Sequence, residues 1–174
     1  MKDAIESKMQ FLKVDGCFYK METSAVMASL GIKTCDFLIL RAAKSPQELF
    51  IIEAKSSAPR PGPGGGDPVR WDAFIQEIYE KLLNSLLVFL GLKVHRPYHE
   101  FSELPSHMKN VSLSDLSITP CLVLRDHPDY ALPPVSDALK SKLDPVVKSF
   151  TLKPPVVINS TLAIKYGLIE SGVQ

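Results

Sequence analysis

The sequence has no apolar run long enough to cross a membrane. Its longest, residues 82–90, is interrupted by Asn84 and Ser85 and falls well short of the roughly 20 residues a spanning helix needs. No continuous apolar segment follows the opening Met1-Lys2-Asp3-Ala4-Ile5-Glu6, so neither a secretory signal nor a membrane partner is expected, and a cytoplasmic or nuclear location is the default. Cysteine is scarce. Cys17, Cys35 and Cys121 share no CxxC spacing and cannot all pair internally; each lies in or beside an apolar run and is expected as a small buried hydrophobe in a reducing compartment. Neither sign of charge dominates: 20 Lys plus Arg stand against 19 Asp plus Glu, for a formal net charge of +1. Any recognition of a polyanion must then come from local arrangement. Internal repeats and a dinucleotide fingerprint are absent, and no serine, histidine and acid come together locally. The glycines near residue 64 lack the Lys-Ser/Thr that completes a phosphate loop.

What is there is globular in composition. The 174 residues, 45% hydrophobic and 22% charged, suit one α/β domain over 1–174 with a substantial core. Residues 1–8 suggest one or two helical turns. Residues 9–14 and 17–21 read as a strand pair about Asp15-Gly16, a favoured hairpin turn. Residues 23–30 read as a loop or short helix ending at Gly31. Residues 34–40 and 49–55 are strongly strand-like and of similar length, joined by a short polar link containing Pro46, which predicts adjacent antiparallel strands.

Residues 58–68 are too rich in Pro and Gly for helix or sheet. They are expected as a flexible loop, either plain solvent loop or a mobile flap beside Lys55. A helix should follow, capped by Asp72, with Phe74, Ile75, Ile78, Leu82, Leu86 and Phe89 at helical spacing until Gly91. Residues 96–119 look irregular. Further elements are a strand at 121–124 after Pro120, a helix over 135–150 interrupted near Pro145, and a strand at 156–158. A last helix over 161–166 is capped by Ser160 and ended by Gly167. The sum is an α/β fold, a mixed central sheet flanked by helices.

Chemistry concentrates on the two strands. Glu53 and Lys55, two apart, share one strand face, while Ile52 and Ala54 take the other. Alone they could be a strand-end ion pair. If 34–40 pairs with 49–55, however, Asp36 lies opposite that end and two carboxylates converge beside an ammonium. Convergent carboxylates repel unless a cation joins them, and a hard divalent ion with oxygen ligands is a common solution. Such an ion polarises a phosphate diester and lowers the pKa of a bound water, while a nearby lysine offsets charge building on phosphorus.

Asp36 followed by Glu53-Ala54-Lys55 resembles the PD-(D/E)xK phosphodiesterase superfamily, which includes restriction endonucleases, Holliday-junction resolvases and RecB-type nuclease domains. The helix at 72–90 and the strand at 121–124 follow in the order expected of that restriction endonuclease-like fold. The proline that names the motif is replaced by Cys35. The resemblance implies a metal-dependent nuclease acting on nucleic acid, DNA more than RNA, with Mg²⁺ or Mn²⁺ held by Asp36 and Glu53. It also implies a further acid, for which Glu6 and Glu22 are available and Glu22 is preferred. RecB-like members carry a Gln and a Tyr in the later helix. Gln76 and Tyr79 are the nearest equivalents, three apart rather than four, and would form a substrate-facing edge.

Around the Pro/Gly loop, Arg60 and Arg70 are candidate phosphate contacts, Arg125 a weaker one. Trp71 is either a core residue or a stacking platform for a base. His95, His99 and His127 offer a zinc reading that Pro97 disfavours, because no helix can place His95 beside His99. The rival to the nuclease is a catalytically silent domain of the same fold, an interaction or scaffold subunit of a larger complex. A recognition surface supplied by a homodimer or another partner would be expected at 96–119.

Overall fold

The computed structural model describes residues 4–24, 28, 30–42, 46–62, 66–96 and 103–170. The chain opens with a ribbon of two short antiparallel strands, β1 (Ile5–Glu6) and β2 (Met9–Gln10). Ser7 and Lys8 between them both take positive φ, at 48° and 61°, the backbone of a tight two-residue hairpin turn. The helical turn expected here is replaced by a strand among the described residues, and β2 pairs backwards with β1 rather than forwards across Asp15-Gly16. Burial decides this. Phe11 is fully buried and stacks 4.8 Å from Phe37, and its backbone bridges Ile169 near the other end of the chain. Gly16 still turns the chain, with φ of 76°.

A mixed five-stranded sheet follows, with β3 (Phe18–Lys20), β4 (Phe37–Arg41), β5 (Gln47–Lys55), β6 (Leu116–Leu124) and β7 (Val156–Asn159) in that spatial order. The first three are antiparallel and the last three parallel. The adjacent antiparallel strands expected from 34–40 and 49–55 are β4 and β5, with Phe37 against Ile52 and Arg41 against Glu48. Parallel neighbours require crossovers. α1 (Pro68–Lys93) and α2 (Ser106–Asn110) lie between β5 and β6, α3 (Leu132–Phe150) lies between β6 and β7, and α4 (Ser160–Lys165) follows β7. The sheet flanked by helices matches the expected fold class and is consistent with a restriction endonuclease-like arrangement.

The central strands are buried on both faces and so read as continuous apolar runs. Leu38, Leu40, Leu49, Ile51, Leu122 and Leu124 pack toward α1 and α3. Phe37, Ile39, Phe50, Ile52, Ala54 and Val123 pack toward Phe11, Ala163, Leu168 and Ile169. Strand alternation therefore turns Asp36, Glu53 and Lys55 toward the α1 side.

Several boundaries move. α1 starts at Pro68, not Asp72: the Asp67 carboxylate accepts from the N–H groups of Val69 and Arg70, and proline suits the first helical turn. β6 begins at Leu116 and runs through Pro120, which is tolerated because pairing with β7 starts only at Cys121. α3 begins at Leu132 and continues unbroken through Pro145. α4 is capped by Asn159 rather than Ser160, its side-chain oxygen accepting from Leu162 N–H at 3.0 Å. Within the stretch expected to be irregular, α2 is tied to α1 by Lys93, whose ammonium donates to the carbonyls of Met108, Lys109 and Val111.

The three cysteines are free and buried, as expected. Among the described residues no helix is long and apolar enough to cross a membrane. Of the predicted segments, residues 1–3 of the 1–8 stretch, 25–27 and 29 of the 23–30 stretch, 63–65 of the Pro/Gly loop and 97–102 of the 96–119 stretch lie outside the described residues.

Candidate metal centre

The hairpin positions the acids. Carrying the β4–β5 register one step beyond Phe37 and Ile52 sets Asp36 against Glu53. Asp36 Oδ2 accepts from Ala54 N–H at 2.7 Å, and the preceding residue is pinned to α1 where Cys35 N–H donates to Ser85 Oγ at 2.8 Å. Asp36 and Glu53 are 3% and 1% exposed, a burial that carboxylates rarely adopt without partners.

Glu53 takes one counter-charge from α1 and one from its own strand. Lys81 Nζ donates to Glu53 Oε1 at 2.7 Å, and Lys55 Nζ lies 3.2 Å from the same oxygen. Lys55 in turn pairs with Glu77 Oε1 at 2.8 Å. Charges thus alternate from Lys81 through Glu53 and Lys55 to Glu77, with Glu77 and Lys81 one helical turn apart. The other oxygen of Glu53, Oε2, is buried with no hydrogen-bond partner. A buried carboxylate oxygen left unsatisfied is costly.

The electrostatics follow. Burial, and then repulsion from Glu53, push the Asp36 carboxyl up to about 7. Burial also raises Glu53, against the lowering pull of Lys81 and Lys55. For Lys55, burial favours the neutral amine, but Glu77 and Glu53 together outweigh it and raise the pKa. Lys81 behaves likewise, burial being outweighed by Glu53. The hydrogen bond from Lys55 holds Glu77 below its ordinary range.

On its other side Asp36 gathers Glu6 and Glu22, the three offering oxygens within 4.8 Å of one another. Glu6 and Glu22 were alternatives in the sequence, and both reach Asp36. Glu6 arrives on the β1–β2 ribbon, which is held across the sheet end where Ser7 Oγ donates to Ala54 O at 3.1 Å and Arg125 Nη1 donates to Ser7 O at 2.9 Å. Arg125 also pairs with Asp126.

The remaining candidates divide. Gln76 donates to Glu80 at 2.6 Å on the outer surface, and Tyr79 is half-buried with the Lys142 ammonium 5.9 Å from its ring. Neither is among the partners of Glu53. The α1 residues that join the network, Lys81 on Glu53 and Glu77 on Lys55, escaped the sequence reading. The available signal was the polar stripe Glu77, Lys81, Ser85, each four residues apart, running beside the apolar face; Ser85 is fully buried. Trp71 packs partly against the core and, with Arg60, His127 and Tyr130, lines an open cavity of about 650 Å³. Its lining residues follow β5 and β6 in sequence and include none of either strand. Arg70 is exposed on the first turn of α1. His99 lies outside the described residues, and the one metal-type grouping among the described residues is Glu6, Glu22 and Asp36.

Asp36, Glu6 and Glu22 offer oxygen ligands of the kind hard divalent cations accept, and Glu53 stands outside that grouping. No protein-family model, curated protein or solved structure matches the chain.

Proposed function

We propose that the chain is a metal-dependent nuclease of the PD-(D/E)xK type, hydrolysing phosphodiester bonds in nucleic acid, DNA before RNA, with Mg²⁺ or Mn²⁺. The observation that supports the reading is a pair of buried carboxylates on adjacent strands, Asp36 and Glu53, the latter with Oε2 unsatisfied and with Lys55 two residues along on the same face. Asp36 and Glu53 would hold the ion, with Glu22 and Glu6 on its flank. When bound, the ion supplies an activated water and polarisation of the phosphate.

The chain's own groups do the rest. Lys55 stays protonated, steadied by Glu77 at 2.8 Å, and faces the region where negative charge grows on the phosphate. The main-chain N–H of Ala54 orients the Asp36 carboxylate. Arg60 and Trp71, which line one cavity, would receive a flanking phosphate and base.

The scaffold reading draws on a different observation. Glu53 Oε1 already meets two ammonium groups, and a silent domain would need no more neutralisation than that.

Cleavage of labelled DNA, in Mg²⁺ and separately in Mn²⁺, tests the choice with wild type, Asp36→Ala and Lys55→Ala purified alike. Lys55→Ala is expected to lose at least about 10²-fold in rate, roughly 2.7 kcal/mol of transition-state stabilisation. Equal turnover by all three proteins would assign the cleavage to a contaminant. Absence of turnover by wild type on linear, branched and single-stranded substrates favours the scaffold.

A further inference from the structure

We infer that Lys81 is the site's resident cation: a tethered ammonium that neutralises Glu53 whenever no divalent ion is there, and with which the ion must compete. The inference rests on the metal reading above and adds a control over loading to it. Lys55 and Lys81 both approach Glu53 Oε1, but they are not equivalent. Lys55 divides its charge between Glu53 at 3.2 Å and Glu77 at 2.8 Å, and its side chain is 28% exposed. Lys81 makes the shorter contact, 2.7 Å, with a side chain only 12% exposed. It reaches Glu53 from α1, beside the Ser85 hydroxyl that anchors Cys35 next to Asp36.

A like charge at this range in a poorly solvated site opposes an incoming cation strongly. The arrangement has a use. A pair of buried carboxylates with no counter-charge would be expelled toward solvent or neutralised by protons. With Lys81 in place the acids stay packed and ready, and Glu53 keeps Oε2 unpartnered for the ion. When the ion arrives, the ammonium is freed to leave Oε1.

Calorimetric titration of Mn²⁺ into wild type and Lys81→Met reads the competition directly. The variant, relieved of the opposing charge, is expected to bind at least about tenfold more tightly. A second measurement needs no variant. Acetylation of the native protein by an amine-reactive reagent, followed by mass spectrometry, compares Lys81 with the exposed Lys148. Saturating Mn²⁺ should raise the relative rate at Lys81 severalfold.

Equal or weaker Mn²⁺ binding by a folded Lys81→Met overturns the role of Lys81 while leaving the metal site standing. So does a labelling rate indifferent to Mn²⁺ in a wild type that binds it. Failure of wild type and variant alike to bind Mn²⁺ removes the metal reading, and this inference with it. Binding by the variant alone would support the competition in its strongest form.

Discussion

Replacing Asp36 by Asn should stabilise the protein, and by more at pH 8 than at pH 5. Asparagine keeps the shape and the oxygen that accepts from Ala54 N–H, and removes only the charge. That charge is disfavoured in the fold, first by burial and then by Glu53, which moves the carboxyl from its usual 3.8 to about 7. The folded pKa lies above the unfolded one, so the native state binds the extra proton. Stability is therefore greatest where Asp36 is protonated, and is lost as pH rises from about 4 through about 7. Fully developed above pH 7, the penalty is on the order of 4 kcal/mol, at 1.36 kcal/mol per unit.

At pH 5 only the first part of that cost is present. The gain from Asp36→Asn is thus expected to be about 2–3 kcal/mol larger at pH 8 than at pH 5. Urea unfolding in EDTA at the two pH values measures it, and the comparison with wild type cancels other titrating groups. Mn²⁺ at 100 times its dissociation constant should then narrow the gap, adding about 2.7 kcal/mol to wild type and little to the variant. Equal effects of the substitution at both pH values, or a loss of stability at pH 8, would refute the placement of Asp36 against Glu53.

Two further predictions concern what holds the site's surroundings. Lys93→Met removes three contacts between an ammonium and the carbonyls of Met108, Lys109 and Val111; a loss of about 2–3 kcal/mol is expected, with faster amide exchange at 106–111. Asn159→Ala takes away the cap of α4 at Leu162 N–H, together with a hydrogen bond to His127 O, and should cost about 1–2 kcal/mol by thermal or urea unfolding.

The part of the site carried on β4 and β5 was legible because its signals are local. Two apolar runs of equal length with a short polar link specify a hairpin, and a hairpin specifies which residues face each other. Asp36, Glu53 and Lys55 follow from that alone. The α1 contribution was not legible in the same way. Charged residues on a helix usually face water, so Glu77 and Lys81 looked ordinary, and a family pattern drew notice to Gln76 and Tyr79 on other faces. The N-terminal ribbon escaped for a different reason. Its neighbours Ala54, Arg125 and Ile169 are distant in sequence, while the nearby Asp15-Gly16 turn offered a plausible local partner. Asp67 and Asp72 are equally good caps by residue type, and Pro68 decides between them.

The claim on which the account depends is that Asp36 and Glu53 share a divalent ion. An anomalous difference map from a crystal grown in Mn²⁺ addresses it directly. The account predicts a peak within coordination distance, about 2.0–2.6 Å for hard cations on oxygen, of both Asp36 and Glu53 Oε2. A peak held by Glu6 and Glu22 away from Glu53, or no peak at the end of the hairpin at all, would contradict it.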